Sequence, residues 1–396
     1  MKKLLLAGAA ALGATAAQAD EVKIGSVAGV TGPIAEIIAN LMEARDLAAS
    51  HVNEQGGMFD GDTLTLVVAD SGCDPNAAVD AGTKVVNVDQ VVAIVGPNCS
   101  GATLSLAQSV AIPSGVVTLS ESATSPAITG LDDNDLLFRA APSDAYQGIA
   151  LANFVLASGV SSVVVTYAND DYNAGLGAEF IKAFEAAGGT IAASQVHEPN
   201  KASYRSEVAT LAAAGADAMV LFAYYGSSGV TIVRNSLETG AYTKIFGADG
   251  LVDEEFITQI GAENLTDAYF TTPGADDTTG SWKAYMDLAS GLSAPTGPYV
   301  ANAYDVTFLM ALAVEKAGST DRSLIAAALR EVATPPGEVI LPGEWAKAKA
   351  LIAAGTDINY EGATGSIDFD AAGDVPGIYQ LHTVTSEGTF KSELLK

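Results

Sequence analysis

Short runs of branched apolar residues alternate along this chain with longer amphipathic stretches, a strand pattern giving way repeatedly to a helix pattern. Residues 22–27 read as a strand, followed by a helix from about 34 to 53 that ends before Gly56-Gly57. Residues 64–69 form the next strand, and Asp74-Pro75 opens a helix over 76–88. Proline is tolerated in a first helical turn because that N–H has no intrahelical partner. Runs at 91–95 and 116–119 complete four strands, with a helix over 102–110 between the last two. Strands separated by helices predict a parallel, doubly wound sheet.

The rhythm then restarts. Helices over 145–157, 174–187, 204–214 and 228–239 alternate with strands over 162–167, 190–196, 218–222 and 244–246, predicting a second sheet of the same type. Residues 138–143, ending near Pro142, and 271–277 are candidate crossings between the two halves. The last third changes character. Helices are predicted over 299–317 (long and amphipathic), 324–332 and 345–353, and strands over 366–369 and 378–384.

The N-terminus sets the compartment. Lys2 and Lys3 precede an apolar run over 4–17 that closes on Ala17-Gln18-Ala19, the pattern of a secretory signal peptide (1–19) cleaved after Ala19. No cysteine follows that point to carry a lipid anchor, and no later run reaches the ~18 apolar residues of a membrane span. The remainder is long enough for two domains, and 49% hydrophobic with 17% charged residues describes a globular chain. A formal net charge of −28 argues against nucleic acid and anionic membranes as partners, since both are held by basic patches. Cys73 and Cys99 are the two cysteines, and an isolated pair in an exported chain reads as one disulfide, with two free thiols the alternative.

Two polar stretches follow predicted strands: Gly-Pro-Asn-Cys-Ser-Gly at 96–101 and Ser-Glu-Ser-Ala-Thr-Ser-Pro at 120–126. Small hydroxyl residues and free N–H groups at such strand ends can hold a carboxylate without a basic side chain. Ordinary strand-to-helix turns use the same residues. Chemistry of other kinds lacks its motifs: there is no phosphate loop, no Gly-x-Gly-x-x-Gly and no nucleophile elbow. His51, His197 and His382 are isolated, so no zinc site is predicted. Asp368-Phe-Asp370 followed by Gly373-Asp374 begins like a calcium loop, but Ala372 and Tyr379 stand at ligand positions, and the segment reads as a hairpin turn. No metal and no cofactor is expected.

Taken together, Val30-Thr-Gly-Pro-Ile-Ala35, Gly56-Gly57, Asp70-Ser-Gly-Cys-Asp-Pro75, Gly96-Pro-Asn-Cys-Ser100, Ser120 to Pro126, Asp171-Tyr-Asn-Ala-Gly175, Gly247-Ala-Asp-Gly250 and Gly297-Pro-Tyr-Val-Ala-Asn-Ala-Tyr304 resemble, in order, one family. It is that of the periplasmic leucine/isoleucine/valine-binding proteins, the receptors of branched-chain-type amino-acid ABC importers. The resemblance implies a type I periplasmic binding fold: two α/β lobes, each a doubly wound parallel sheet, joined by a three-stranded hinge whose third crossing lies near Ile378. Lobe I would comprise 20–140 with 272–377, and lobe II 141–271 with 378–396. It also places the family's disulfide at Cys73–Cys99.

The resemblance implies site residues as well. Ser100 and Thr124 would donate to a ligand α-carboxylate, while the Ser122 carbonyl, with Ala123 beside it, and the Asp249 carboxylate would receive the α-ammonium. Tyr172 and one of Tyr224 and Tyr225, with Tyr225 assigned, would wall the second lobe. Three positions depart from the family pattern. Ile37 stands where an aromatic wall is common, Asn98 replaces an apolar residue beside the side-chain pocket, and Asp249 is a methylene shorter than glutamate. The segment 342–361, with Trp345, is extra. Asn98 leaves a ligand with a polar side chain open beside leucine, because a buried amide needs partners. The implied protein is a monomeric periplasmic receptor, not an enzyme, that delivers an α-amino acid to an ABC permease and ATPase complex. A receptor for another small solute (an amide, urea or an aromatic acid) or a secreted α/β hydrolase are the alternatives. A sensor serving a chemoreceptor would share the first reading and differ in its partner.

Overall fold

The branched runs become the central strands of two sheets in the computed structural model, which describes residues 20–395. The leader expected over 1–19 lies outside the described residues. The first sheet contains β1 (Glu21–Ala28), β2 (Thr63–Asp70), β3 (Ala93–Val95), β4 (Thr118–Ser120) and β5 (Leu137–Arg139). Its order is β2-β1-β3-β4-β5, parallel throughout. Helices α1 (Ala35–Glu54), α2 (Pro75–Asn87), α3 (Ser100–Leu106) and α4 (Pro126–Thr129) make the connections. Every residue of β3 and β4 is buried, and β3 accordingly reads as an unbroken apolar run. Asp74 caps α2 by accepting from the Asn76 and Ala77 N–H groups, with Pro75 in the first turn.

The chain then enters a second α/β unit. Strands β6 (Ser162–Ala168), β7 (Thr190–His197), β8 (Ala218–Phe222), β9 (Ile245–Ala248) and β10 (Ala268–Gly274) alternate with α5 (Asp144–Ala157), α6 (Asp171–Ala186), α7 (Arg205–Ala212), α8 (Val230–Thr239) and α9 (Glu254–Ile260). Next come α10 (Gly280–Leu288), α11 (Val300–Ala317), α12 (Arg322–Ala333), β11 (Glu338–Ile340), α13 (Trp345–Ala353), β12 (Ile358–Gly362) and β13 (Gly365–Ser366). Strands β14 (Ile378–Val384) and β15 (Phe390–Leu394) end the chain. The second sheet has the order β15-β14-β10-β9-β8-β6-β7, with β14 antiparallel to β10 and β15 antiparallel to β14. Strands β11, β12 and β13 form a separate small sheet.

Three expectations need correction. The strand over 366–369 shrinks to Gly365–Ser366, because Ile367 turns into the core and Phe369 packs edge-on against Phe138, 5.0 Å between ring centres. The helix beginning near 299 is not amphipathic: every residue from Val300 to Glu315 is buried. It runs between α1 and α12 with α13 also against it, so it is covered on all sides. The Asp370–Asp374 turn is not a hairpin. Asp370 accepts from the Ala372 and Asp374 N–H groups, and Asp374 takes a two-point ion pair from the buried Arg139, at 2.6 and 2.7 Å.

The extra segment has a packing role. Trp345 is fully buried and its Nε1–H donates to the Gly57 carbonyl at 3.1 Å. Asp305, in the middle of α11, accepts from Tyr360 and from the Ala363 and Thr364 N–H groups, tying the helix to the small sheet. Burial pushes its carboxyl up to about 6 against those hydrogen bonds.

Cys73, after β2, and Cys99, after β3, are joined as a disulfide that closes a separation of 26 residues. Loop closure of that length stabilises by about 3–4 kcal/mol on the chain-entropy model. Cys73→Ser/Cys99→Ser is therefore expected to lose about that much in denaturant unfolding. An unchanged unfolding midpoint would show that the bridge constrains nothing.

Candidate binding site

The carboxyl ends of the strands in both sheets face one another across a cavity of about 30 Å³. From the first half, α1 contributes Ile34 at its N-cap, then Ile37, Ile38 and Leu41. The spacing i, i+3, i+4, i+7 is one stripe of a helix, so four aliphatic side chains form a continuous apolar wall. Asn98 and Ser122, from the loops after β3 and β4, complete this side. From the second half come Tyr172, Tyr224, Asp249 and Gly250, with Pro298 and Tyr299 from the turn before α11.

Asn98 is held rigidly from behind. Its Oδ1 accepts from the Gly29 N–H at 3.1 Å and its Nδ2 donates to Glu121. Glu121 in turn pairs with Arg45, which also donates to Ser26 at 2.8 Å, and both charged side chains have no solvent exposure. The amide's demand for partners is thus met inside the protein. Asn98 by itself therefore creates no demand for a polar ligand side chain, which the sequence left open beside leucine.

The hydroxyl-rich stretches are largely occupied with their own loops. Ser120 and Ser122 donate to the Pro97 and Asn98 carbonyls, at 2.6 and 3.1 Å. The Ser100 hydroxyl oxygen accepts from the Ser125 N–H at 3.1 Å, which leaves its own O–H to donate. Thr124 is fully buried and its hydroxyl has no hydrogen-bond partner. Ser100, Ala123 and Thr124 are not among the residues lining the cavity but sit in the layer behind Asn98 and Ser122, Ala123 at 0% exposure.

Asp249 follows β9, lines the same cavity and is 7% exposed. Its Oδ1 accepts from Gln147 Nε2 at 2.9 Å, and the Tyr172 and Tyr299 hydroxyls stand against the same carboxylate. Burial raises its pKa, and these donors pull in the other direction. Tyr172 stacks on Tyr224 with ring centres 5.2 Å apart. Tyr225, the tyrosine assigned from sequence, does not line the cavity: its ring packs in the core of the second half and its hydroxyl reaches the Glu36 main chain at the start of α1, with Asp253 nearby. The reason is local: β8 ends at Phe222 and a wide helical turn starts at Tyr225, which sends the two neighbours to different sides. Sequence reading missed Gln147 and Tyr299. For Tyr299 a signal existed, since Gly297-Pro298 forces a turn and Tyr299 adopts a left-handed φ of 62°.

Two α/β units meeting over a cavity at their strand ends, lined by an apolar wall and a buried acid, make up a type I periplasmic binding fold. The chain belongs to the periplasmic binding protein family, whose model matches residues 21–376. It is 27% identical over 383 residues (95% of this chain, 90% of the relative) to the chemotactic signal transduction system substrate-binding protein BasB of Halobacterium salinarum. It is 29% identical over 325 residues (81% and 86%) to the leucine-, isoleucine-, valine-, threonine- and alanine-binding protein of Pseudomonas aeruginosa. Among solved structures, the branched-chain amino acid transporter substrate-binding protein LivJ of Streptococcus pneumoniae, in complex with isoleucine, matches with a TM-score of 0.79. That pair is 25% identical over 95% of this chain and 100% of the other.

Proposed function

We propose that this chain is an exported receptor, its leader cleaved after Ala19, that closes on an aliphatic α-amino acid and hands it to the permease and ATPase of an ABC importer. The observation that carries this reading is the lining of the cavity, which joins the Ile34–Ile37–Ile38–Leu41 wall to a buried acid, Asp249. An ammonium group answers Asp249, because a buried carboxylate needs a charged partner. The apolar wall takes the side chain, and the Ser100 and Thr124 hydroxyls with the Thr124 N–H take the carboxylate. The Pseudomonas relative and the isoleucine complex support the same ligand class. The protein works as a monomer and catalyses no reaction. Its lobes run 20–140 with 272–377 and 141–271 with 378–396, β10 and β14 passing side by side through the hinge.

Thermal unfolding against a panel tests this reading. Leucine, isoleucine or valine at 100 times Kd should add about 2.7 kcal/mol of stability. Midpoints raised only by urea, acetamide or benzoate would overturn the amino-acid assignment.

Closure depends on glycine at the cleft rim. A Cβ on Gly226 would lie 2.4 Å from the Pro33 carbonyl oxygen, and one on Gly101 2.7 Å from Asp171 Oδ2. Gly226→Val should leave the ligand-free unfolding midpoint nearly unchanged while weakening leucine about ten-fold or more, since only the closable fraction binds tightly. Equal affinity in calorimetry would show that this contact does not gate binding.

A further inference from the structure

Helix α1 has no cap of its own. Its N-cap residue is Ile34, which carries no side-chain oxygen and makes no capping hydrogen bond. Serine, threonine, aspartate or asparagine normally stands there and accepts from a first-turn N–H. Ile34 is also the first residue of the apolar cavity wall, so the position that would cap the helix is given to the pocket. The first-turn N–H groups have no intrahelical acceptor, and covering a helix end without one is unfavourable. The second α/β unit covers this one. A Cβ on Gly226 would lie 2.4 Å from the Pro33 carbonyl oxygen, and Ile37 packs against the cores of both units. Tyr225, beside Gly226, is 5% exposed, and its hydroxyl meets the Glu36 main chain in that first turn. Burial raises the phenol's pKa and the Asp253 and Glu36 carboxylates add to this, so Tyr225 stays a neutral hydroxyl with lone pairs to offer. The Glu36 main-chain contact acts in the opposite direction, as an N–H donor does.

We propose that Tyr225 caps α1 from the opposite lobe, its hydroxyl accepting from the Glu36 N–H when the cleft is shut, so that a residue touching no ligand holds the ligand in. The inference rests on the reading above of a receptor that closes on an amino acid. With the lobes apart, water meets the same N–H and the phenol is released. The bond is therefore made on closure and favours the bound state alone. It also fixes the turn that carries Ile34 and Ile37, which couples the cap to the placement of the apolar wall. Tyr225 is in this way a positioning residue, while its neighbour Tyr224 lines the cavity itself.

Tyr225→Phe keeps the ring in its core and removes only the hydroxyl. Glu36→Pro removes the other partner, since proline has no N–H and is tolerated in a first helical turn. Its reference is Glu36→Ala, which loses the same carboxylate but keeps the N–H. With L-leucine as the probe, calorimetry should show Tyr225→Phe weakened roughly two- to ten-fold, the worth of one hydrogen bond. Stopped-flow kinetics should place that change in the dissociation rate rather than in association. The ligand-free unfolding midpoint should stay at the wild-type value. The coupling separates this role from a structural one: Tyr225→Phe should cost its full factor beside Glu36→Ala and nothing beside Glu36→Pro. Unchanged leucine affinity in Tyr225→Phe overturns the inference, as do equal losses beside Glu36→Ala and Glu36→Pro, or a lowered ligand-free midpoint. Should Glu36→Pro fail to fold, Tyr225→Phe decides alone: faster leucine release at an unchanged midpoint supports the inference, and unchanged release overturns it. A wild type that binds no α-amino acid overturns the reading beneath it, an outcome distinct from a wild type and a Tyr225→Phe variant that bind equally.

Discussion

Asp249→Asn is expected to cost the receptor about 2–5 kcal/mol of amino-acid binding, a loss of roughly thirty-fold to several-thousand-fold in Kd. The substitution keeps the volume and the Gln147 contact but removes the charge. The ligand ammonium would then be buried without that counter-ion, in a cavity lined also by Ile34, Ile37, Ile38 and Leu41. Ligand-free stability should not fall, because burial already raises the Asp249 carboxyl and makes its charge costly. The same shift gives wild-type binding a pH dependence. As pH falls toward and through the raised pKa, Asp249 takes up a proton and competes with the ammonium, so affinity should drop on acidification and recover above it. Calorimetry with L-leucine at several pH values reads both effects. Undiminished affinity in the variant would place the ammonium elsewhere.

Arg45→Met is expected to be the most destabilising single change discussed here. Arg45 and Glu121 pair with no solvent exposure, and Arg45 Nε and Glu121 Oε2 already lack partners. Removing one member of a buried pair strands the other and costs about 3–5 kcal/mol. Replacing both by apolar residues, Arg45→Met with Glu121→Met, should recover most of that loss in denaturant unfolding. Recovery of stability is not recovery of the site, because Glu121 is also what Asn98 Nδ2 donates to. The double variant should fold and bind leucine more weakly, its pocket floor no longer fixed. If the single and double variants lose equal stability, the pair does not behave as a coupled unit.

The pattern of the chain carried the architecture further than the chemistry. Branched runs flanked by helices marked the parallel strands, and Asp74-Pro75 marked the start of α2, because burial and capping are local consequences of residue type. The all-buried α11 was not legible as such. Its Asn302, Asp305, Thr307 and Glu315 look like a polar face, and only the structure shows Asn302 donating to the Ala140 carbonyl and Asp305 bonding to Tyr360 and Thr364. The small third sheet escaped because Glu338–Ile340 is too short to show a period. In the cavity, Asp249, Tyr172, Asn98 and Ser122 were readable through family resemblance. Tyr224 could not be told from Tyr225, since a wide turn beginning between them decides which ring faces the cleft. Nothing local in sequence marks Arg45 in α1 or Asp144 in α5 as buried, because that burial is imposed by elements far along the chain. The partner of Asn98 is hidden for the same reason: Glu121 is 23 residues away.

The central claim is that the cleft recognises a zwitterion with an aliphatic side chain. Its most direct test is calorimetric titration of the mature protein, unfolded and refolded to strip any carried ligand, with L-leucine and with 4-methylpentanoate, the same skeleton without its ammonium. One leucine bound per chain and no measurable binding of the des-amino acid is the predicted result. Equal affinity for the two compounds, or binding of the des-amino acid alone, would contradict it.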